Sequence, residues 1–275
     1  DAWLEKSRLD GMILDGFTYG IFFLLSIQSV IAIYRGIRRS SNGKLGKRHG
    51  YILIAYVLVT FLLGTIGVAA NARYTEDIWI NFRGEGRTPE DLILNEFDFW
   101  YNRLAIDSQE IMVWIMDLLL LYRCIIIWNY RPWVVILMTS VYLTIIGLSI
   151  AVMISAGRSA VFFNLHLQLA FLALSCSFNF LFTLLVCLKL LHARKQIKDV
   201  LGPEHATTYT SLTATLVEST ALYFVCDLIF LFAFAFHSNV QNLILLENCL
   251  IQAISQLLII LRVAQGRDYD RTVAT

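Results

Sequence analysis

One apolar stretch of this chain carries three acids. Ala105–Trp128 reads AIDSQEIMVWIMDLLLLYRCIIIW and holds Asp107, Glu110 and Asp117. As a helix rising ~1.5 Å per residue it covers about 36 Å, enough for a ~30 Å hydrocarbon core. Asp117 then sits near mid-depth. Glu110 lies two turns away and Asp107 one turn further, so the three carboxyls share a face with Trp114 between them. An acid at the bilayer centre costs roughly 2.5–3.5 kcal/mol on insertion scales, so it must face protein or water rather than lipid. A carboxyl held there can anchor a ligand, act as a general acid, or join two helices by a hydrogen bond. No Lys or Arg lies at mid-depth. The expected partners of Asp117 are therefore polar groups of the last two apolar segments: Asp227, Gln252 or Gln256.

These residues and Asn179 are the deep polar set. Gln252 and Gln256 are four apart and share one helical face. Glu218 and Asp227 are nine apart and point to opposite sides. Asp15, His166 and Glu247 fall near outer ends and Glu218 near an inner end, where an interfacial position accounts for each. The candidate ligand-binding residues are thus Asp117, Glu110, Asp227, Gln252, Gln256 and Asn179. The same residues could serve only as helix–helix hydrogen bonds, worth on average ~0.6 kcal/mol each.

Several chemistries are excluded by what the sequence lacks. No span has a mid-helix Lys for a retinal Schiff base. His49, His166, His192, His205 and His237 show no paired spacing, so no metal site of the HExxH kind is expected. There is no P-loop, no nucleophile elbow and no helical repeat of arginines for voltage sensing. Cys124, Cys176, Cys187, Cys226 and Cys249 all fall in apolar segments, giving no disulfide frame and no CxxC pair. No cofactor is expected. A net charge of +1 gives no field that would draw nucleic acid.

The elements that position these residues are read from composition. Apolar residues make up 57% and charged residues 16% of the chain, against about a quarter charged in soluble domains. Residues 1–10 are charged and polar, unlike a secretory signal. Seven stretches can span a bilayer: Gly11–Tyr34, Gly50–Ala70, Ala105–Trp128, Trp133–Ser155, Leu165–Leu191, Ser211–Phe236 and Leu243–Val263. The expected fold is all-α, a polytopic seven-transmembrane-helix bundle forming one domain over residues 1–275. Within the first span, Gly16 and Gly20 match a helix-contact spacing.

Lysines and arginines set the orientation. One side holds six in RGIRRSSNGKLGKRHG, together with Arg123, Arg131, Lys189, Arg194, Lys195, Lys198, Arg262, Arg267 and Arg271. The other holds Lys6, Arg8, Arg73, Arg83, Arg87, Arg103 and Arg158. The richer side should be cytoplasmic, which puts the N-terminus outside and the C-terminus inside. Tyr34, Tyr51, Tyr122, Trp128, Tyr130 and Trp133 then form an inner aromatic belt. The long outer segment Asn71–Leu104 contains TPEDLILNEFDFWYNRL. Thr88 suits an N-cap, Pro89 the first helical position, and Glu90 and Asp91 the first turn. Ile93, Phe97, Trp100 and Leu104 recur at helical spacing. An amphipathic helix over Thr88–Arg103, running into the third span, is expected.

Six strings run through nearly the whole chain: LDGFTYGI (14–21), GTIGVAAN (64–71), LLLLYRCIIIWN (118–129), VLGPEHATTYTSLTATLVEST (200–220), SNVQNLIL (238–245) and QLLIILRVAQGR (256–267). Together they resemble a large family of seven-helix integral membrane proteins from mushroom-forming basidiomycete fungi. That resemblance implies topology, a fungal membrane and no activity. It draws attention to Asp15, Arg123 and Glu218, which fall inside the shared strings. Family members often carry Pro before LLIILRVA, where this chain has Gln256, so the resemblance does not carry a kinked seventh helix over.

Three functions remain open. The first is a receptor-like protein binding a small lipophilic molecule. The second is a membrane-embedded enzyme acting on a lipid or isoprenoid through Asp117 or Asp227 as general acid. The third is an oligomeric channel or transporter. Expected partners are membrane lipids, a small lipophilic ligand and further copies of the chain.

Overall fold

The computed structural model describes residues 2–39, 44–82, 99–156, 165–201, 203–236, 238–245 and 247–273. All regular structure among them is helical. Seven long helices follow one another: α1 (Ala2–Arg39), α2 (Lys44–Glu76), α3 (Trp100–Ile127), α4 (Pro132–Ala156), α5 (Leu165–Leu201), α6 (Pro203–Ala235) and α7 (Asn248–Val273). A π-helical turn, Asp77–Asn81, continues α2, and a short helical turn, Gln241–Ile244, precedes α7.

The helices close into a ring. Each packs on its chain neighbours, and α7 returns to α1. Helix α3 reaches across most, touching α5 and α7 as well as α2 and α4, and α2 also meets α7. The core is correspondingly split. One apolar cluster joins α3 to α4, α5 and α6 through Leu120, Met138, Phe178 and Phe230. Another joins α3 to α1, α2 and α7 through Met112, Phe22, Val57 and Leu250.

Five helices contain a stretch long and apolar enough to cross a membrane: Trp3–Arg38, Lys47–Asn81, Pro132–Ile154, His166–Ala193 and Glu218–Ala235. Their outward faces are apolar too. Phe17 is 68% and Ile136 70% exposed, beside Leu24, Leu62, Leu143 and Phe232. A soluble monomer does not display apolar surface on that scale, so these faces are built for lipid. Of the seven expected spans, α3 and α7 do not qualify on composition and length. Glu110, Asp117 and Arg123 interrupt α3, and the apolar part of α7 is the shorter Asn248–Ala264.

The connections differ from expectation in three places. The stretch following residue 191, read as a linker, is helical to Leu201, and helix resumes at Pro203, a residue suited to a first helical position. The helix expected over Thr88–Arg103 lies outside the described residues as far as Asp98. Phe99 is extended (φ −64°, ψ 134°) and α3 starts at Trp100, so no helix runs continuously into α3. Gly16 and Gly20 contact nothing: a Cβ built at either meets no atom within 4 Å. The close approaches occur at Gly11, Gly50, Gly64 and Gly67 instead. A Cβ on Gly11 would stand 2.5 Å from the Asn242 carbonyl oxygen.

The α3–α4 turn has a simple cause. Asn129 and Tyr130 adopt left-handed φ of 51° and 56°. Tyr130 N–H donates to Ile125 O at 3.0 Å and Asn129 N–H to Ile126 O at 2.9 Å, the pair of bonds that closes a Schellman helix end. Arg131 then caps α4, with Pro132 at its first position. Trp128 donates to Leu185 O at 3.1 Å and lies under Lys189, so this end of α3 is pinned to α5.

Candidate functional site

A cavity of about 130 Å³ lies at the end of the bundle where α1 begins. Every long helix contributes to its wall: Arg8 from α1, Asn71 from α2, Glu110 from α3, Val152 from α4, Gln168 from α5, Asp227 from α6 and Asn248 from α7. Phe171, Phe230 and Phe234 supply apolar wall. The helical period explains the convergence. On α3, Asn102, Ala105, Ile106, Gln109, Glu110 and Val113 follow the three–four spacing of one face.

Asp227 is the most telling of these residues. It is buried, and its Oδ1 accepts a hydrogen bond from Asn248 Nδ2 at 2.8 Å. Its Oδ2 has no hydrogen-bond partner. The Asn248 Oδ1 and the Gln168 Oε1 are likewise without partners. Tyr223 stands beside the same carboxyl and beside Ser175. Across the cavity, Glu110 Oε2 accepts from Ser149 Oγ at 2.6 Å, and Ser149 Oγ accepts from Trp114 Nε1 at 3.1 Å. That relay fixes α4 to α3.

Below the cavity the polar groups bond one another across helices, with Asp117 Oδ2 and Gln252 Oε1 left without partners. Asp117 is wholly buried and faces inward, and Gln252 Nε2 donates to its Oδ1 at 2.8 Å. One turn on, Gln256 Nε2 donates to Met116 O at 3.1 Å, and Tyr56 OH donates to Gln256 Oε1 at 2.5 Å. Ser255 Oγ donates to the Ser219 carbonyl. Asn248, Gln252 and Gln256 therefore form a ladder down α7, whose rungs reach α6, α3, and α3 with α2 in turn. Asp117, Gln252 and Gln256 do not line the cavity. No protein family model, no curated protein and no solved structure matches the chain.

The sequence-derived set thus divides. Glu110 and Asp227 meet at the cavity, and Asp117, Gln252 and Gln256 form the layer below it. Asn179 is buried but does not line the cavity; its amide donates to the carbonyl of the lining residue Ser175, one turn away on its own helix, at 3.0 Å. Asp15 is fully buried behind the cavity wall. Arg8 and Asn71 are its polar neighbours, and neither of its oxygens is hydrogen-bonded. Arg123 lies near Tyr56 with its Nη1 buried and unpartnered. Glu218 is exposed. Arg8, Gln168, Asn248 and Tyr223 are cavity residues that the sequence reading did not select. Two carried a usable signal. Arg8 is seven residues from Asp15, on one face, and Asn248 is four before Gln252.

Among the described residues no group of His, Cys, Asp and Glu is arranged to hold a metal ion.

Proposed function

We propose that the chain is a seven-helix integral membrane protein, N-terminus outside, whose outer cavity binds a small molecule in a receptor-like manner. The observation that carries this reading is the cavity itself: all seven long helices meet there, and buried polar atoms turn into it unsatisfied. Buried polar groups ordinarily find partners, so such atoms mark a place where something else binds. Seven spans are supported by the position of α3. It touches four other helices, so its acids are turned inward and a strictly apolar composition is not required of it. The apolar segment of α7 is nearly long enough alone, and its polar ladder is bonded to α2, α3 and α6.

Size favours binding over isoprenoid chemistry. A dry cavity of ~150 Å³ holds a benzene molecule, so about 130 Å³ suits a ligand of that order rather than a long prenyl chain or a sterol. Asp117, the deepest acid, is engaged by Gln252 and does not line the cavity. The basic end of the bundle, opposite the cavity, would carry the response. The fungal family of the string resemblance is part of this proposal, as is a membrane of a fungal cell.

The test is binding of benzyl alcohol to the full chain in lipid nanodiscs. Saturable binding is expected, and Val113→Phe, which fills the cavity, should abolish it. Binding that survives Val113→Phe would place the ligand elsewhere and overturn the reading.

A further inference from the structure

We propose that the cavity is selective for a small organic ammonium, with Asp227, Asn248 and Gln168 accepting its N–H groups. This rests on the cavity being a ligand site. It adds the chemical class of the ligand.

The argument starts from the sign of the unsatisfied atoms. Three cavity-lining residues present an orphan atom: Asp227 Oδ2, Asn248 Oδ1 and Gln168 Oε1. All three are acceptors. Asp227 and Gln168 are themselves more than nine-tenths buried. The orientation of the Asn248 amide is fixed, because its nitrogen already donates to Asp227 Oδ1. Its oxygen must therefore find a donor outside the protein. An ammonium brings three N–H donors and no acceptor, the complement of this set. A carbonyl or carboxylate ligand would leave all three oxygens unpaired.

Charge points the same way. The cavity wall holds two acids, Glu110 and Asp227, and one cation, Arg8. Arg8 already has the buried carboxyl of Asp15 beside it. Behind the wall, Glu247 adds a further acid near Asp15. The surroundings thus favour positive charge in the cavity. An anion drawn to Arg8 would also meet Glu110 and Asp227.

The rest of the wall suits the ligand's body. Phe171, Phe230, Phe234 and Tyr223 line the same space. Aromatic faces attract an ammonium through their quadrupoles and pack against an apolar ring or chain.

Three probes of one size separate the possibilities: benzylamine, benzyl alcohol and benzoate, titrated into the full chain in neutral-lipid nanodiscs at pH 7. Benzylammonium should bind at least about tenfold more tightly than benzyl alcohol, the scale of one charge-assisted hydrogen-bonded contact. Benzoate should bind weakest. Asp227→Asn should erase the preference for benzylamine. Should that variant fail to fold, Gln168→Met carries the same test, with benzylamine weakened about threefold relative to benzyl alcohol. Equal binding of all three probes would leave the cavity as a ligand site and overturn its selectivity for ammonium. Tighter binding of benzoate would overturn it in favour of an anion at Arg8. Binding of none of them would overturn both readings.

Discussion

Replacing Asp117 by Asn keeps the side chain's shape and the oxygen that Gln252 donates to, and removes only the ability to ionise. Asp117→Ala removes the acceptor as well and leaves the Gln252 amide nitrogen buried without a partner. Polar contacts between membrane helices average ~0.6 and reach ~1.7 kcal/mol, so Asp117→Ala should lower stability by about 1–2 kcal/mol. Asp117→Asn should change it by less than about 0.5 kcal/mol. Unfolding titrations in SDS measure both. A loss in Asp117→Asn as large as in Asp117→Ala would show that the residue's ionisation holds the bundle together. The inward position of Asp117 was legible from depth alone, since an acid in lipid has nowhere else to turn. Its choice of Gln252 over Asp227 was not. Asp227 is taken by Asn248, one turn up the same ladder, and pairings of that kind depend on the relative heights of three helices. Arg8 escaped notice for a related reason. It sits among polar residues at the start of the chain, and its spacing to Asp15 tells only if α1 begins before it, as the structure shows.

Helix α1 shows how one element can have a tight face and an open one. Gly11 packs directly on the backbone at Asn242, whereas Gly16 has no neighbour. Gly11→Ala must move either α1 or the Gln241–Ile244 turn, a backbone shift costing about 1–3 kcal/mol. Gly16→Ala meets only open space and should be neutral or stabilising by up to ~1 kcal/mol. Thermal unfolding of the pair would decide between the two faces. If Gly16→Ala destabilises the protein, the open face is covered by another molecule, and its spacing with Gly20 has meaning beyond this chain. Spacing identifies which residues share a face, but not what that face meets, so Gly16 and Gly20 could be misread while Gly11 went unnoticed. The α3–α4 connection makes a second prediction. Asn129 holds a left-handed φ, which Asn tolerates and a β-branched residue does not. Asn129→Gly should preserve stability, and Asn129→Val should cost about 1–2 kcal/mol in the same assay. Here the sequence signal was Pro132, which marked the break. The shape of the turn itself came from two adjacent left-handed residues, neither of them glycine.

At the scale of the whole molecule, two independent asymmetries run along the bundle axis. The cavity, the buried Arg8 and the aromatic cluster of Tyr74, Tyr101, Phe82 and Phe99 gather at the end where α1 begins. The exposed aromatics Tyr34, Tyr51, Tyr122, Tyr130 and Trp133 gather at the opposite end, with Lys189 over Trp128. The opposite end also carries most of the chain's Lys and Arg, which by the positive-inside rule supports the proposed orientation with that end cytoplasmic. In that proposed orientation the cavity lies toward the outside or the lumen, as the proposed receptor-like role requires. This orientation is tested without reference to any ligand. Cys124, Cys176 and Cys249 are buried and Cys187 and Cys226 half-buried, so the native thiols should give little background to a membrane-impermeant maleimide. In whole cells, Glu85→Cys should label directly, and Gly43→Cys only after the membrane is permeabilised. The two sites precede and follow α2 in the sequence, which makes each the control for the other. Labelling of Gly43→Cys in intact cells with Glu85→Cys protected would invert the molecule, place the cavity on the cytoplasmic side and remove the basis for a receptor of external signals. Labelling of both sites in intact cells would mean that α2 does not cross the membrane, and the seven-span reading would fall with it.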